Sequence, residues 1–259
     1  STRKESSAAS DVYKRQEGTK IIEVRKLCKA FEDKVVLHEI SASFTPGSIN
    51  CIIGRSGAGK TVLLKSLIGL IPPTSGEILF DGHNMMLLSK EELKRLRQMT
   101  GVLFQGSALF DSMTVLENVL FPLQLFSKMS SRERKAHAMA LLERVGLEGA
   151  QRKFPSEISG GMMKRVAIAR AVALNPHYLF CDEPNSGLDP TTSASIDKLL
   201  KELTEEYQIT TVVNTHDMNS IKTIANHILY LDKGQVAWHG AREELSGDIP
   251  ASLKNFLYL

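Results

Sequence analysis

The sequence lacks any apolar run long enough to cross a membrane as a helix. Such a helix needs about 18 or more consecutive apolar residues. Hydrophobic residues make up 42% of the 259 residues, but polar residues interrupt all of their longer runs. Residues 1–20 also lack the apolar segment of a secretory signal peptide. These absences predict a protein that acts in the cytosol or on the cytosolic side of a membrane.

Cysteine is scarce, and the three cysteines lie far apart in the sequence. Cys28, Cys51 and Cys181 show neither a CxxC pair nor the spacing of a zinc site. Cys51 and Cys181 each lie within an apolar, strand-like run. We therefore predict that they are buried structural thiols, and we assign the cysteines no chemistry.

A basic surplus is also missing. The formal net charge is +3, and residues 1–20 contribute five Lys or Arg against three Asp or Glu, which leaves 27 basic and 26 acidic residues in the rest of the chain. Nucleic-acid-binding domains usually carry a clear basic excess, so we predict no nucleic-acid partner. Residues 1–20 are rich in Ser, Ala and charge, and we expect a disordered tail or a remnant of processing or tagging there.

Strand-like and helix-like segments alternate after residue 20. The segments "IIEVRKL" (21–27) and "ISASF" (40–44) predict strands with one buried face, and "SINCIIG" (48–54) has the dense apolar composition of a buried parallel strand. The segments "HYLFCDEP" (177–184) and "ITTVVNTH" (209–216) each follow a helix-like segment, which is the βαβ order of a parallel sheet. The sequence thus predicts an α/β fold.

Residues 85–165 are predominantly helix-like and interrupt this pattern. Ser89 with Glu92, and Ser130 with Glu133, have the spacing of a capping box at a helix N-terminus. In the second of these helices, four apolar residues are spaced as one buried stripe: Ala136, Met139, Leu142 and Val145. We predict that a helical segment is inserted into the α/β core.

The segment "GRSGAGKT" matches the phosphate-binding pattern G-x-x-x-x-G-K-[ST] at every fixed position. Glycines allow successive backbone N–H groups to surround phosphate oxygens, and the helix that follows directs the positive end of its dipole at them. Lys60 is expected to reach the β- and γ-phosphates of ATP, and the Thr61 hydroxyl is expected to bind Mg²⁺. The predicted ATP-binding residues of this loop are Gly54, Arg55, Ser56, Gly57, Ala58, Gly59, Lys60 and Thr61.

Acidic and polar residues follow three other strand-like runs. Asp182 is suited to hold Mg²⁺ through its water shell, and Glu183 is suited to polarise the water that attacks the γ-phosphate. Gln105 follows "GVLF", where its amide is suited to bind Mg²⁺ or the attacking water, and His216 follows "TVVNT", where its imidazole is suited to bond the γ-phosphate. A lone Gln or His would be a weak signal, and both gain weight from the complete P-loop.

The stretch "EISGGMMKRVAIARA" (157–171) places Ser-Gly-Gly where a helix should begin. Ser159 is a suitable N-cap, and Gly160 and Gly161 are compatible with an ordinary loop. The alternative is a second anion site, because a Ser hydroxyl, glycine N–H groups and a helix N-terminus together attract phosphate. The chain already has a complete P-loop, so a second phosphate site would indicate a partner molecule.

The order of these motifs resembles that of ATP-binding cassette (ABC) ATPases: a P-loop, a Gln after a strand, "SGG", an apolar strand with "DE", "SGLDP" and then His. The resemblance covers about residues 21–240. It implies a P-loop NTPase (RecA-like) core with an antiparallel β subdomain and an inserted ABC-type helical subdomain. By this resemblance the ABC ATPase domain covers 21–246, its helical subdomain covers about 85–165, and a C-terminal extension covers 247–259.

The resemblance also implies how these parts are used. In ABC ATPases the SGG segment contacts the ATP held by the P-loop of the opposite subunit. Ser159, Gly160 and Gly161 are therefore expected to cap the γ-phosphate in a homodimer that encloses two ATP molecules. Asp189 in "SGLDP" is similar to the residue that links the two sites. Phe31 resembles the aromatic residue that stacks on adenine, although its apolar neighbours are equally typical of a core position.

Several residues depart from the usual ABC pattern and indicate a subfamily. Ile158 and Met162 stand where Leu and Gln are usual, and Asn185 replaces Thr or Ser after "DEP". The segment "SGGMMKR", with Lys164 and Arg165, resembles the ATPases of Mla/Mce/TGD-type lipid transporters. The segment "FQGSALFDSMTVLENVLFPL" resembles the same group.

That resemblance implies a peripheral ATPase subunit on the cytoplasmic face of the inner membrane. A separate permease would move phospholipid or a related hydrophobic molecule, and auxiliary subunits are compatible with this assembly. Residues 104–123 are expected to form the permease-docking surface, the alternative being that they only pack the helical insertion. Two other functions stay open: the ATPase of another ABC importer or exporter, and a non-transport ABC ATPase. The latter usually has long coiled-coil inserts or two cassettes, and neither occurs in this sequence.

Overall fold

The computed structural model describes residues 21–32 and 34–257, so the tail expected at residues 1–20 lies outside the described residues. The strands are β1 (Ile22–Phe31), β2 (Lys34–Phe44), β3 (Ile49–Ile53), β4 (Ser75–Phe80), β5 (His83–Asn84), β6 (Thr100–Leu103), β7 (Tyr178–Asp182), β8 (Thr210–Asn214), β9 (His227–Asp232) and β10 (Gln235–Ala241). The helices are α1 (Lys60–Leu67), α2 (Lys90–Gln98), α3 (Val115–Phe126), α4 (Ser131–Arg144), α5 (Gly160–Val172), α6 (Pro190–Tyr207), α7 (Met218–Ile224) and α8 (Ala251–Leu257).

A six-stranded sheet forms the centre of the fold, with the strand order β10-β9-β3-β8-β7-β6. The strands from β9 to β6 pair in parallel, and β10 pairs antiparallel with β9. Every residue of β3, β7 and β8 is buried, as expected for strands that are covered on both faces. The parallel sheet predicted from the βαβ order is confirmed.

A second sheet packs over one face of the central sheet. It has the order β2-β1-β4-β5, and its strands pair antiparallel. Ile22 at the start of β1 pairs with Phe44 on one side and Phe80 on the other. This sheet is the antiparallel β subdomain that the family resemblance implied.

Side chains of the central strands alternate between two hydrophobic clusters. Ile52 and Phe180 belong to the cluster shared with α1 and the second sheet. Cys51 and Cys181 belong to the cluster shared with the helices from α3 to α7. Because both thiols are buried and unoxidised, the prediction of structural cysteines at these two positions is confirmed.

The helix-rich part of the chain begins with the capping boxes that the sequence predicted. Ser89 with Glu92 caps α2, and Ser130 with Glu133 caps α4. The stripe predicted for α4 was wrong in its first half, because Ala136 and Met139 are exposed. The buried face of this region consists instead of Ala138, Leu141, Leu142 and Val145. Apolar residues occur on both sides of α4, so their spacing alone did not identify which side is buried.

The C-terminal segment packs against β9. Ile249 and Leu253 are buried, the Tyr230 hydroxyl donates to the Ser252 carbonyl at 3.2 Å, and the rings of Tyr230 and Phe256 lie 5.5 Å apart. Among the residues that the structure describes, no helix combines the length and apolarity needed to cross a membrane.

Candidate nucleotide site

The predicted site residues meet at the carboxyl ends of the parallel strands, where open α/β sheets usually bind ligands. The P-loop connects β3 to α1, and Gln105, Glu183 and His216 follow the ends of β6, β7 and β8. An open cavity of about 850 Å³ lies there. It is lined by Lys34, Val36, Gly54, Arg55, Ser56, Gly57, Ala58, Gly59, Lys60, Thr61, Val62, Gln105, Glu183, His216 and Phe256.

Two glycines give the P-loop its path. Gly54 has a φ of 151°, and a Cβ there would lie 2.3 Å from the Leu231 carbonyl oxygen. Gly59 precedes α1 with a φ of 97°, and a Cβ there would lie 2.7 Å from the Leu37 side chain. Only glycine combines these backbone angles with such close approach. The loop therefore lies against β9 and β2, and the first residues of α1 line the cavity.

Lys60 lies across the P-loop. Its Nζ donates to the carbonyl oxygens of Gly54 at 2.8 Å and Arg55 at 3.2 Å. Burial lowers the pKa of Lys60, and the negative charges of Glu183 and Asp182 oppose that shift. The two carboxylates thus favour the ammonium form, which is the form that attracts phosphate.

Thr61 and Asp182 provide oxygen atoms that suit Mg²⁺. Asn214 Nδ2 donates to Asp182 Oδ1 at 2.6 Å and to Thr61 Oγ1 at 3.3 Å, so one amide group holds both candidate ligands close together. Mg²⁺ prefers hard oxygen ligands and is usually bound by one or two carboxylates together with substrate phosphates and water. The donor set therefore fits Mg²⁺, and Thr61 and Gln105 also line the cavity.

Glu183 has an unusual backbone conformation. Its φ is 48°, in the left-handed region, which is rare for residues other than glycine and is often found at functional sites. Its N–H donates to the Asn214 carbonyl at 2.9 Å. The His216 Nδ1 lies 2.9 Å from the Glu183 carboxylate. The residues that follow β7 and β8 thus hold the carboxylate at the edge of the cavity.

Gln105 is held on both its backbone and its side chain. Lys164 Nζ donates to the Gln105 carbonyl, and Gln105 Nε2 donates to Ser186 Oγ at 3.1 Å. Lys164 is buried, and burial lowers its pKa. One of the residues that indicated the lipid-transport subfamily therefore links the helix after "SGG" to the residue that follows β6.

Ser159 is the N-cap of α5, because its Oγ accepts from the Met162 N–H at 3.3 Å. Ser159 is thus the predicted N-cap, but Gly160 and Gly161 are the first residues of α5 and not part of a loop. Ser159, Gly160 and Gly161 lie outside the residues that line the P-loop cavity. They lie close to the "SGLDP" segment and the start of α6 instead, since a Cβ on Gly160 would lie 3.7 Å from the Leu188 side chain and one on Gly161 would lie 2.5 Å from the Thr192 methyl group.

Asp189 caps the next long helix. Its Oδ1 accepts from the Thr192 N–H at 3.0 Å at the start of α6, and hydrogen bonds from Thr192 lower the pKa of Asp189. Asn185, the departure after "DEP", donates to Asp197 at 2.7 Å and to Ser220 at 2.9 Å. Asn185 thus ties the loop after β7 to α6 and α7.

Phe31, the residue predicted to stack on adenine, does not line the cavity. Its ring is 43% exposed, and the Lys29 ammonium lies 4.8 Å from its centroid. Four residues that the sequence did not indicate line the cavity: Lys34, Val36, Val62 and Phe256. Another, Asn214, bonds the two candidate Mg²⁺ ligands. The pattern "VVNTH" places a polar residue in an apolar strand next to His216 and was a signal for Asn214.

Comparisons with known proteins agree with this geometry. A family model described as ABC transporter matches residues 37–186. The "probable ribonucleotide transport ATP-binding protein mkl" of Mycobacterium leprae is 39% identical over 236 residues, which cover 91% of this chain and 68% of that protein. The "intermembrane phospholipid transport system ATP-binding protein MlaF" of Escherichia coli K12 is 37% identical over 237 residues, which cover 92% of this chain and 88% of that protein.

A solved structure also matches closely. The dimeric ATP-binding cassette MJ0796, in a post-hydrolysis state bound to ADP and Pi, has a TM-score of 0.77 and 34% sequence identity. The match covers 85% of this chain and 98% of that chain. The ABC-type fold that the sequence motifs implied is therefore confirmed.

Proposed function

The chain belongs to the ABC transporter family of ATP-binding proteins, and we propose that it hydrolyses ATP to drive a separate membrane permease that moves phospholipid. One observation carries the ATPase part of the proposal: Gln105, Glu183 and His216, which are distant in sequence, line the same cavity as the complete P-loop. Hydrolysis of ATP with Mg²⁺ is the reaction of this family.

The P-loop is proposed to bind the ATP phosphates. Its backbone N–H groups and the N-terminus of α1 attract the negative charge. The Lys60 ammonium exchanges its bonds to the Gly54 and Arg55 carbonyls for bonds to the β- and γ-phosphates. Thr61, Asp182 and Gln105 would hold Mg²⁺, which when bound neutralises charge on the phosphates.

Glu183 is proposed as the general base. Its carboxylate accepts a proton from the attacking water while the water oxygen bonds to the γ-phosphorus and the bond to the ADP oxygen breaks. His216 keeps the carboxylate in place through their hydrogen bond and is proposed to contact the γ-phosphate. Gln105 orients the attacking water.

A second copy of the chain is proposed to complete each site. Ser159 and Gly160 lie outside the cavity of their own chain, yet they begin a 13-residue helix whose N-terminus is suited to bind an anion. In a two-fold dimer each of these helices would face the ATP of the partner subunit, with Asp189 close by. Closure around two ATP molecules would align the water with Glu183, and hydrolysis would reopen the dimer. The dimeric MJ0796 cassette supports this arrangement.

Phospholipid is proposed as the cargo. The support is the similarity to MlaF over nearly the whole of both chains, together with the "SGGMMKR" segment. A second candidate is the ATPase of another ABC importer or exporter, because a probable ribonucleotide transport ATP-binding protein is similarly related. Under either function the chain would lie at the cytoplasmic face of the membrane, bound through the permease.

The permease is proposed to dock on residues 104–123 and their surroundings. A groove of about 360 Å³ there is lined largely by apolar side chains, among them Phe110, Phe121 and Phe126. Phe110 and Phe126 are exposed. Arg170 holds the backbone behind the groove, since its guanidinium donates to the Ser107 and Ala108 carbonyls at 2.8 Å each.

ATP turnover of purified protein tests the proposed chemistry. Glu183→Gln is expected to lower kcat by at least about 100-fold, because the amide cannot accept the proton, while ATP affinity is retained. Lys60→Ala is expected to lose ATP binding. Glu143→Gln, an exposed position on α4, is the matched control and should behave as wild type. Full turnover by Glu183→Gln would refute its role as base.

A pull-down from mild-detergent extracts of source-cell membranes tests the transport part. We expect a polytopic permease together with enriched phospholipid, both lost when Phe110 and Phe126 are replaced by Ser. A permease without lipid would favour the second candidate. Recovery of ribosomal or DNA-repair proteins alone would contradict a role in transport and leave the ATPase chemistry untouched.

A further inference from the structure

Asn214 ends β8 at a position where both candidate Mg²⁺ ligands are within hydrogen-bond distance. Its side chain is completely buried. Nδ2 donates to Asp182 Oδ1 at 2.6 Å and to Thr61 Oγ1 at 3.3 Å. One amide group thereby joins the end of β7 to the start of α1, although these two elements are far apart in the sequence.

The chemistry of the partners fixes the orientation of this amide. A carboxylate oxygen only accepts hydrogen bonds, so the NH₂ group of Asn214 must face Asp182. The Thr61 hydroxyl has two acceptor lone pairs. Asn214 uses one of them, and the other is left for a metal ion. The bonds therefore orient both ligands without occupying all of their acceptor positions.

The carbonyl oxygen of the Asn214 side chain has no hydrogen-bond partner among the described residues. Asn214 Oδ1 is buried and accepts no hydrogen bond from them. Leaving a buried acceptor unpaired is costly, and the preceding strand positions, Val212 and Val213, show that apolar side chains fit in β8. If position 214 had only a structural role, valine would fill it without burying an unpaired acceptor. The polar side chain at this position is therefore explained by its NH₂ group, which bonds Asp182 and Thr61.

We propose that Asn214 is a positioning residue for Mg²⁺. Its NH₂ group holds Asp182 and Thr61 in the arrangement that binds the ion. This inference rests on the proposed ATP and Mg²⁺ site and adds a residue that neither the motifs nor the comparisons identify.

Binding of a non-hydrolysable fluorescent ATP analogue, titrated with Mg²⁺, tests the proposal. Asn214→Val introduces a β-branched side chain, which suits a strand, and removes both polar atoms. The Mg²⁺ concentration at half-maximal binding is expected to rise by about tenfold or more, the usual effect of losing a group that orients metal ligands. Affinity for the analogue in EDTA should stay within about twofold of wild type, since Asn214 does not line the P-loop cavity.

Thr211→Val is the matched control. Thr211 lies on the same strand, is buried, and bonds Thr204 at 2.6 Å far from the ligands. It should leave the Mg²⁺ midpoint unchanged even where its melting temperature falls. If Asn214→Val does not fold, Asn214→Thr replaces it. That variant keeps one hydroxyl, which cannot donate to both ligands, so its midpoint should shift by an intermediate amount.

The possible outcomes distinguish a failure of this inference from a failure of the proposed ATP and Mg²⁺ site. An unchanged Mg²⁺ midpoint in a folded Asn214 variant would overturn the positioning role, as would an equal loss of affinity with and without metal. Neither result would affect the ATPase assignment. Absence of Mg²⁺-dependent nucleotide binding by the wild-type chain would instead refute the proposed site, and Asn214 would lose its role with it.

Discussion

The His216 Nδ1 lies 2.9 Å from the Glu183 carboxylate, although 33 positions separate the two residues in the sequence. The contact exists because β7 and β8 are parallel neighbours and end together, with Asp182 paired to Asn214 in the ladder. His216 is largely exposed, whereas Glu183 is mostly buried. Glu183 is held by its backbone as well, since its N–H donates to the Asn214 carbonyl.

Replacing His216 by Ala is expected to slow turnover more than it weakens ATP binding. A hydrogen bond to a charged group contributes about 1.5–3 kcal/mol, so kcat should fall by about 10- to 100-fold if the bond orients Glu183 during hydrolysis. The KM for ATP should change little. Steady-state kinetics of the variant measure both constants.

His38→Ala is the control for this experiment. His38 is exposed on β2 and does not line the cavity, so its kinetics should match those of the wild type. A His216 variant with normal kcat and a raised KM would indicate a role in binding ATP rather than in orienting Glu183.

The features predicted correctly from the sequence are those encoded in short segments. The P-loop, the strands before Asp182 and His216, and the capping box at Ser130 each follow from fewer than about ten neighbouring residues. Met139 was placed wrongly because apolar residues occur on both sides of α4, and only packing against other helices determines which side is buried.

Long-range contacts were not predictable in the same way. The bond from Lys164 to the Gln105 carbonyl joins residues 59 positions apart. Phe256 reaches the cavity because the C-terminal segment folds back against β9. A single sequence contains no signal for either contact, because each depends on how separate elements pack.

Gly160 and Gly161 are predicted to differ when each is replaced by Ala. At Gly160 the nearest atom to an added Cβ is 3.7 Å away, an ordinary contact. Gly160→Ala should therefore fold normally, with stability unchanged or raised by up to about 1 kcal/mol. At Gly161 a Cβ would lie 2.5 Å from the Thr192 methyl group, so Gly161→Ala should be destabilised.

The functional prediction concerns Gly160 alone. If this residue contacts the ATP of the partner subunit, Gly160→Ala should prevent ATP-dependent dimerisation without lowering the melting temperature. Size-exclusion chromatography with ATP in a Glu183→Gln background measures the dimer, because slow hydrolysis preserves it. ATP-dependent dimers of the double variant, formed as readily as by Glu183→Gln alone, would contradict the proposed contact.

Asn118 is predicted to stabilise the segment that forms the proposed docking groove. Its side chain is fully buried, accepts from the Phe110 N–H at 2.9 Å, and donates to the Phe110, Met113 and Thr114 carbonyls at 3.1–3.2 Å. Asn118→Ala leaves these groups unpaired and should reduce the free energy of unfolding by about 2–4 kcal/mol.

Chemical denaturation measures this effect, with Gln124→Ala as the control. Gln124 lies on the same helix and is exposed, so its replacement should change the unfolding free energy by less than about 0.5 kcal/mol. Equal stability of the two variants would show that the hydrogen bonds of Asn118 in the folded protein are no more favourable than the bonds that the same groups make to water in the unfolded chain.

Thiol reactivity should separate Cys28 from the other two cysteines. Burial raises the pKa of Cys181 to about 12; the positive charge of Lys164 opposes this shift, and the negative charge of Asp182 reinforces it. Burial raises the pKa of Cys51 as well. Because the thiolate is the reactive form, a thiol reagent at pH 8 should modify Cys28, which is only partly buried, and reach the other two only after unfolding. Rapid reaction of all three thiols in the folded protein would contradict the packing of β3 and β7.

The raised pKa of Cys181 also predicts a loss of stability in alkaline solution. A group whose pKa is higher in the folded state stabilises the fold fully below its unfolded pKa, here about 9, and this contribution is lost as pH rises toward the folded pKa. The unfolding free energy should therefore fall between about pH 9 and pH 12. Cys181→Val, which cannot ionise and keeps an apolar side chain in β7, should show a shallower fall over that range. An identical slope for the variant and the wild type would show that Cys181 does not contribute to the alkaline loss.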